Sequence, residues 1–103
     1  SENATISANL TYRTAPSSTL VVTITSNIPT VIADVSYYNV ATGVKLSSTS
    51  NTLCITKSGS SYIGGDSYVS QYNRGLPINA FSSYYAIVTP YQGSAYRTNN
   101  VNT

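Results

Sequence analysis

The sequence predicts an all-β protein: an antiparallel two-sheet β-sandwich, mostly up-and-down, in which residues 1–103 form a single domain. Three observations carry this. Ala4, Ile6, Ala8, Leu10 and Tyr12 alternate with Thr5, Ser7, Asn9, Thr11 and Arg13, the period-two pattern of a half-buried strand. Turn-forming residues recur about every 8–12 positions, as they do in sandwiches and barrels. No window places apolar residues at helical spacing among good helix formers.

Each element has its own signal. Thr14-Ala15-Pro16-Ser17-Ser18 ends the first strand, and Leu20, Val22 and Ile24 alternate with threonines in the second. After Ser26-Asn27-Ile28-Pro29 the chain resumes from Thr30 to Tyr38. Asn39-Val40-Ala41-Thr42-Gly43 is a hairpin connection whose glycine can take a positive φ, and Val44-Lys45-Leu46 returns from it. Leu53-Cys54-Ile55 is a short apolar run, and Gly64-Gly65-Asp66 interrupts the chain between Tyr62 and Tyr68. Asn73-Arg74-Gly75-Leu76-Pro77 is a loop. Tyr84 to Val88 is a strand closed by Pro90, and Gln92-Gly93 turns it into a last strand near Ser94 to Thr98. Short connections predict antiparallel pairing of consecutive strands.

Charged residues make up 8% of the chain, against roughly 25% in an average soluble protein. Ser, Thr, Asn and Tyr together supply 51 of the 103 residues, and His, Met and Trp are absent. Arg13, Lys45, Lys57, Arg74 and Arg97 face Glu2, Asp34 and Asp66 for a net charge of +2. Five scattered cations do not make the basic stripe that nucleic acid requires. No apolar run approaches the ~20 residues of a membrane span, and a hydrophobic content of 41% argues against disorder. A chain that opens on Ser1 reads as processed. The sequons Asn3-Ala4-Thr5 and Asn9-Leu10-Thr11 fit secretion, so the expected location is extracellular.

Catalysis finds little to work with. General acid–base catalysis usually draws on His, or on carboxylates with tuned pKa values; His is absent, and with it the partner that a Cys–His nucleophile needs. Cys54, between Leu53 and Ile55, reads as a small buried hydrophobe. Glycoside hydrolysis needs two carboxylates at a set separation, and the spacing of Asp34 and Asp66 does not argue that they meet. No cofactor is expected. Calcium is the one metal left open, through Gly65-Asp66 beside Asn73, although no loop spaces acids as a calcium motif does.

Binding is the positive reading. Neutral sugars present hydroxyl edges and apolar C–H faces, which suit amide, hydroxyl and carboxylate partners beside an aromatic platform. Ten tyrosines against one phenylalanine give aromatic area that carries a hydroxyl. The candidate carbohydrate site is Gly65, Asp66, Tyr68, Tyr72, Asn73 and Arg74. In Tyr68-Val69-Ser70-Gln71-Tyr72 the two tyrosines share a strand face. Asp66 and Asn73 would take hydroxyls, and Arg74 an anionic or hydroxyl group. Alternatively, Tyr68 and Tyr72 fill an edge of the core, and Gly64-Gly65-Asp66 is only a turn or bulge. Elsewhere Tyr37 is expected inside and Tyr38 outside, Tyr84 and Tyr85 pose the same choice, and Tyr91 and Tyr96 flank the Gln92-Gly93 turn.

With its Tyr-, Ser-, Thr- and Asn-rich strands such as Asn3–Arg13 and Ser67–Asn73, and its lack of Met, His and Trp, the chain resembles the small secreted slime-mould hemagglutinins, which are legume-lectin-like. The resemblance covers the whole chain in composition and architecture. It implies a sandwich of two simple sheets that binds glycans or glycopeptides on cell surfaces without catalysis. Legume lectins join an Asp, a backbone Gly, an Asn and an aromatic at the sugar. Asp66, Gly65, Asn73 and Tyr72 are the matching types here, in a different order and spacing, and the acidic cluster for Ca²⁺ and Mn²⁺ is missing. Agglutination needs two binding points per particle, from a homodimer or a second site. The competing reading is an immunoglobulin- or fibronectin-like adhesion or spacer module, with Tyr84–Pro90 and Gly93-Ser94 as its last hairpin. The absence of Trp argues against it.

Overall fold

The computed structural model describes residues 3–69 and 75–103, and the side chains of all of these but 48–52 and 54. Among the described residues nine strands follow one another: β1 (Ile6–Arg13), β2 (Thr19–Ser26), β3 (Thr30–Asn39), β4 (Lys45–Cys54), β5 (Thr56–Ser58), β6 (Ser61–Val69), β7 (Ser83–Pro90), β8 (Tyr96–Arg97) and β9 (Val101–Asn102). They form two antiparallel sheets packed face to face, as the alternation predicts. Sheet A runs β1-β2-β6-β5, and sheet B runs β4-β3-β7-β8, with β9 also pairing β7.

The strand order departs from the expected up-and-down arrangement. Hairpins β1–β2, β3–β4, β5–β6 and β7–β8 pair internally, but successive hairpins alternate between the sheets. Each hairpin has one apolar face, and crossing over lets the next hairpin cover it instead of extending the same sheet. The result, 1-2-6-5 facing 4-3-7-8, is the strand order of an immunoglobulin-type Greek key. Tyr84 adds a second hallmark of that architecture. It is fully buried near the start of β7, and its Oη accepts the Asn79 backbone N–H at 2.8 Å, a corner between the sixth and seventh strands.

The core is the two inner faces. Leu10, Leu20, Val22, Ile24 and Tyr68 come from sheet A; Val31, Ala33, Val35, Tyr37, Leu53, Tyr84, Ala86 and Val88 come from sheet B. Burying each large aliphatic side chain contributes about 1.5–3 kcal/mol. At the open side of the sandwich Asn99 clips the sheets together. Its amide accepts the Leu10 N–H at 2.8 Å and donates to the Leu10 carbonyl at 3.0 Å. It thereby pairs an otherwise unpaired stretch of edge strand β1.

Two local expectations meet different outcomes. Gly43 takes φ +70, and the Asn39 side chain caps the Ala41 and Thr42 N–H groups, closing the β3–β4 hairpin as predicted. Gly64-Gly65-Asp66, by contrast, interrupts nothing. It lies inside β6, in unbroken register with β2 from Thr19↔Val69 to Ser26↔Tyr62. Glycine is needed there for close approach, because a Cβ on Gly65 would lie 2.4 Å from the Val22 carbonyl oxygen. The Ser/Thr-rich β4 carries no apolar alternation before Leu53 and takes its form from pairing with β3 along its length.

Candidate functional site

The alternation of β6 decides which predicted residues can meet a ligand. Tyr62, Gly64, Asp66 and Tyr68 turn inward, while Ile63, Gly65 and Ser67 turn outward. Because Gly65 has no side chain, the outer face of sheet A is hollowed at that point. Asn9, Thr23 and Gly65 share one cross-strand row, and Thr11, Val21 and Ser67 the next. The resulting shallow depression holds about 460 Å³, with Arg13, Val21, Thr23, Gly65 and Ser67 around it and Asp66 also at its lining. Hydroxyls, one guanidinium and exposed strand backbone are its chemistry. These are neutral hydrogen-bonding groups with one cation, suited to a polyhydroxylated ligand.

Asp66 lines this depression, but its carboxylate is turned between the sheets. Tyr37, 1% exposed on the facing sheet, donates its Oη to Asp66 Oδ2 at 2.6 Å. Burial, then the bond to Asp66 and that carboxylate's charge, push the Tyr37 phenol well above the ordinary tyrosine range. The pair is a hydrogen-bonded strut across the core, which offsets the cost of placing a carboxylate among apolar side chains. One Asp66 oxygen expected to receive sugar hydroxyls is therefore committed to Tyr37.

Tyr68 is a correction to the sequence reading. It is 6% exposed in the core, its ring tilted against Tyr37 at 5.4 Å between centroids, and its hydroxyl donates to the Leu76 carbonyl. Burial, then the neighbouring Tyr84, raises its pKa. It offers no platform to a ligand, because the even-numbered residues of β6 are the inward set. The structure thus keeps Gly65 at the depression, turns the Asp66 carboxylate between the sheets and removes Tyr68. Tyr72, Asn73 and Arg74 lie outside the described residues, as does the side chain of Cys54. Asp34 is exposed on the outer face of sheet B, where Tyr91 donates to it at 3.3 Å, so the two aspartates face different compartments. Among the described residues no three His, Cys, Asp or Glu side chains gather as a metal-holding group.

The outer face of sheet B carries a feature that the sequence reading missed. Tyr37 points inward as expected, and of the Tyr84/Tyr85 pair it is Tyr84 that does so, leaving Tyr38 and Tyr85 outside, stacked at 5.1 Å with planes 13° apart. Lys45 lies 5.8 Å from the Tyr38 centroid, and the Arg97 guanidinium sits 3.9 Å above Tyr85. A cation–aromatic–aromatic–cation row thus crosses four neighbouring strands. Arg97 is further fixed by bonds to the Thr98 carbonyl and the Asn100 side chain. The alternation gives Tyr38 its face, but only the pairing of β3 with both β4 and β7 brings the row together.

No protein-family model matches the chain, and no curated protein matches it.

Proposed function

We propose that this protein is a non-enzymatic lectin, a secreted β-sandwich that binds glycans or glycopeptides at cell surfaces. The observation that carries the reading is the depression over Gly65, walled by Arg13, Thr23 and Ser67 and open on the outer face of sheet A. Sugar hydroxyls can exchange bonds with serine and threonine hydroxyls there, while the arginine donates to ring or exocyclic oxygens. Half the chain is uncharged hydrogen-bonding side chains, which suits a ligand of the same character. The test is a glycan array on the folded protein, with and without EDTA. Selective binding that survives EDTA is expected, and binding to no glycan would sink the reading.

A second reading has observations of its own. The 1-2-6-5 / 4-3-7-8 order, the Tyr84 corner and the Lys45–Tyr38–Tyr85–Arg97 row fit an immunoglobulin-type adhesion module that meets a protein partner on sheet B. Tyrosine and arginine are the residues that dominate protein interfaces. That module predicts no saturable glycan, and alanine at Tyr85 would release its partner.

A further inference from the structure

Among the described residues the depression on sheet A has no aromatic floor, because Tyr68 turns inward. An open aromatic ring stands elsewhere. Phe81, the single phenylalanine, is 98% exposed at the end of the sandwich, in the segment leading into β7. It is also the one non-glycine residue with positive φ (+57) among the described residues, a conformation costly for a bulky side chain. The turn that holds it there is rigidly bracketed. The Asn79 N–H donates to Tyr84 Oη at 2.8 Å, and Thr103 Oγ1 donates to the Asn79 carbonyl at 2.8 Å. On the other side the Ser82 N–H donates to Thr103 Oγ1 at 3.2 Å, and the Thr103 N–H to the Ser82 carbonyl at 2.9 Å. Strain held in place by the surrounding structure recurs at ligand clamps and active sites, and here it presents a ring that buries nothing.

The chemistry around the ring says which ligand. Residues 78–84 and 101–103, which build the turn, contain no charged side chain, and Asn79 and Asn102 are exposed. An open ring face beside neutral amides and hydroxyls matches the apolar C–H face of a sugar and its hydroxyl rim. We propose that Phe81 is the stacking platform of a second glycan-binding point, at the end of the sandwich and separate from the depression over Gly65. One domain then carries two points of attachment and cross-links cells without dimerising. The inference rests on the lectin reading.

The experiment compares wild type with Phe81→Ala and Phe81→Asn in three readouts: erythrocyte agglutination titre, binding of a soluble glycopeptide released from those cells, and thermal midpoint. Asparagine tolerates positive φ, so Phe81→Asn should raise the midpoint by about 4 °C or more. Both variants should lose agglutination about tenfold or more, while glycopeptide binding at the first site persists. Variants that agglutinate like wild type would overturn the second site and leave the lectin reading intact. Wild-type protein that binds neither cells nor glycopeptide would overturn both. Agglutination lost together with all glycopeptide binding would place the only site at Phe81 and overturn the two-point account.

Discussion

Replacing Tyr37 by phenylalanine isolates the strut between the sheets. The ring, its volume and its contact with Tyr68 stay, while Asp66 Oδ2 loses a donor 2.6 Å away. A hydrogen bond to a charged group contributes about 1.5–3 kcal/mol. In a domain of this size 1 kcal/mol moves the midpoint by about 4–8 °C, so the expected fall lies between about 6 and 24 °C. Tyr68→Phe is the matched control. Its hydroxyl serves a neutral carbonyl, worth about 0.5–1.5 kcal/mol, so its midpoint should fall less. The strut also sets an alkaline signature. Tyr37 is held un-ionised in the fold, while an unfolded tyrosine titrates near 10. Stability is therefore complete below about pH 10 and declines above it, as the unfolded chain releases a proton that the fold retains. Tyr37→Phe should flatten that decline by up to about 1.4 kcal/mol per pH unit. Thermal unfolding at pH 7 and urea unfolding across pH 9–11, both followed by circular dichroism, measure the two effects. A Tyr37→Phe protein as stable as wild type at pH 7, with the same alkaline slope, would refute the reasoning.

Other outcomes follow from the same geometry. Gly65→Ala places a Cβ 2.4 Å from the Val22 carbonyl oxygen, so β2 and β6 must part. A loss of about 1–3 kcal/mol is expected in urea unfolding, with weakened glycan binding on the array. Asn99→Ala removes both bonds to the Leu10 backbone and should cost about 1–3 kcal/mol. Hydrogen exchange at Leu10 should quicken more than at Val22. Arg97→Ala uncovers Tyr85. About 0.5–1 kcal/mol of stability should be lost, with glycan binding unchanged if the ligand sits on sheet A.

The outer layer of the account was legible in the sequence because it depends on period two. Alternation in β1, β2 and β3 assigned Leu10, Val22 and Tyr37 to the core, and the structure buries all three. Local pattern carries no information on which hairpin neighbours which, and so the crossing of successive hairpins between sheets was not readable. The same limit explains the site. Gly64-Gly65 signals either a turn or close backbone approach, and only the unbroken pairing of β2 with β6 selects the second. The phase of β6, set by that register, sends Tyr68 inward. Phe81 left no signal beyond being the single phenylalanine, because its exposure and positive φ are set by bonds to Tyr84 and Thr103, the latter far along the chain. The Lys45–Tyr38–Tyr85–Arg97 row likewise needs four strands in register.

The most direct measurement is a titration of isotope-labelled protein with a glycan selected on the array, followed through backbone amide shifts. Glycan binding over Gly65 predicts the largest shifts at Arg13, Thr23, Gly65 and Ser67, with Asn79–Ser82 moving as a second group. Shifts confined to Tyr38, Lys45, Tyr85 and Arg97, or no shifts at any glycan concentration, would contradict it.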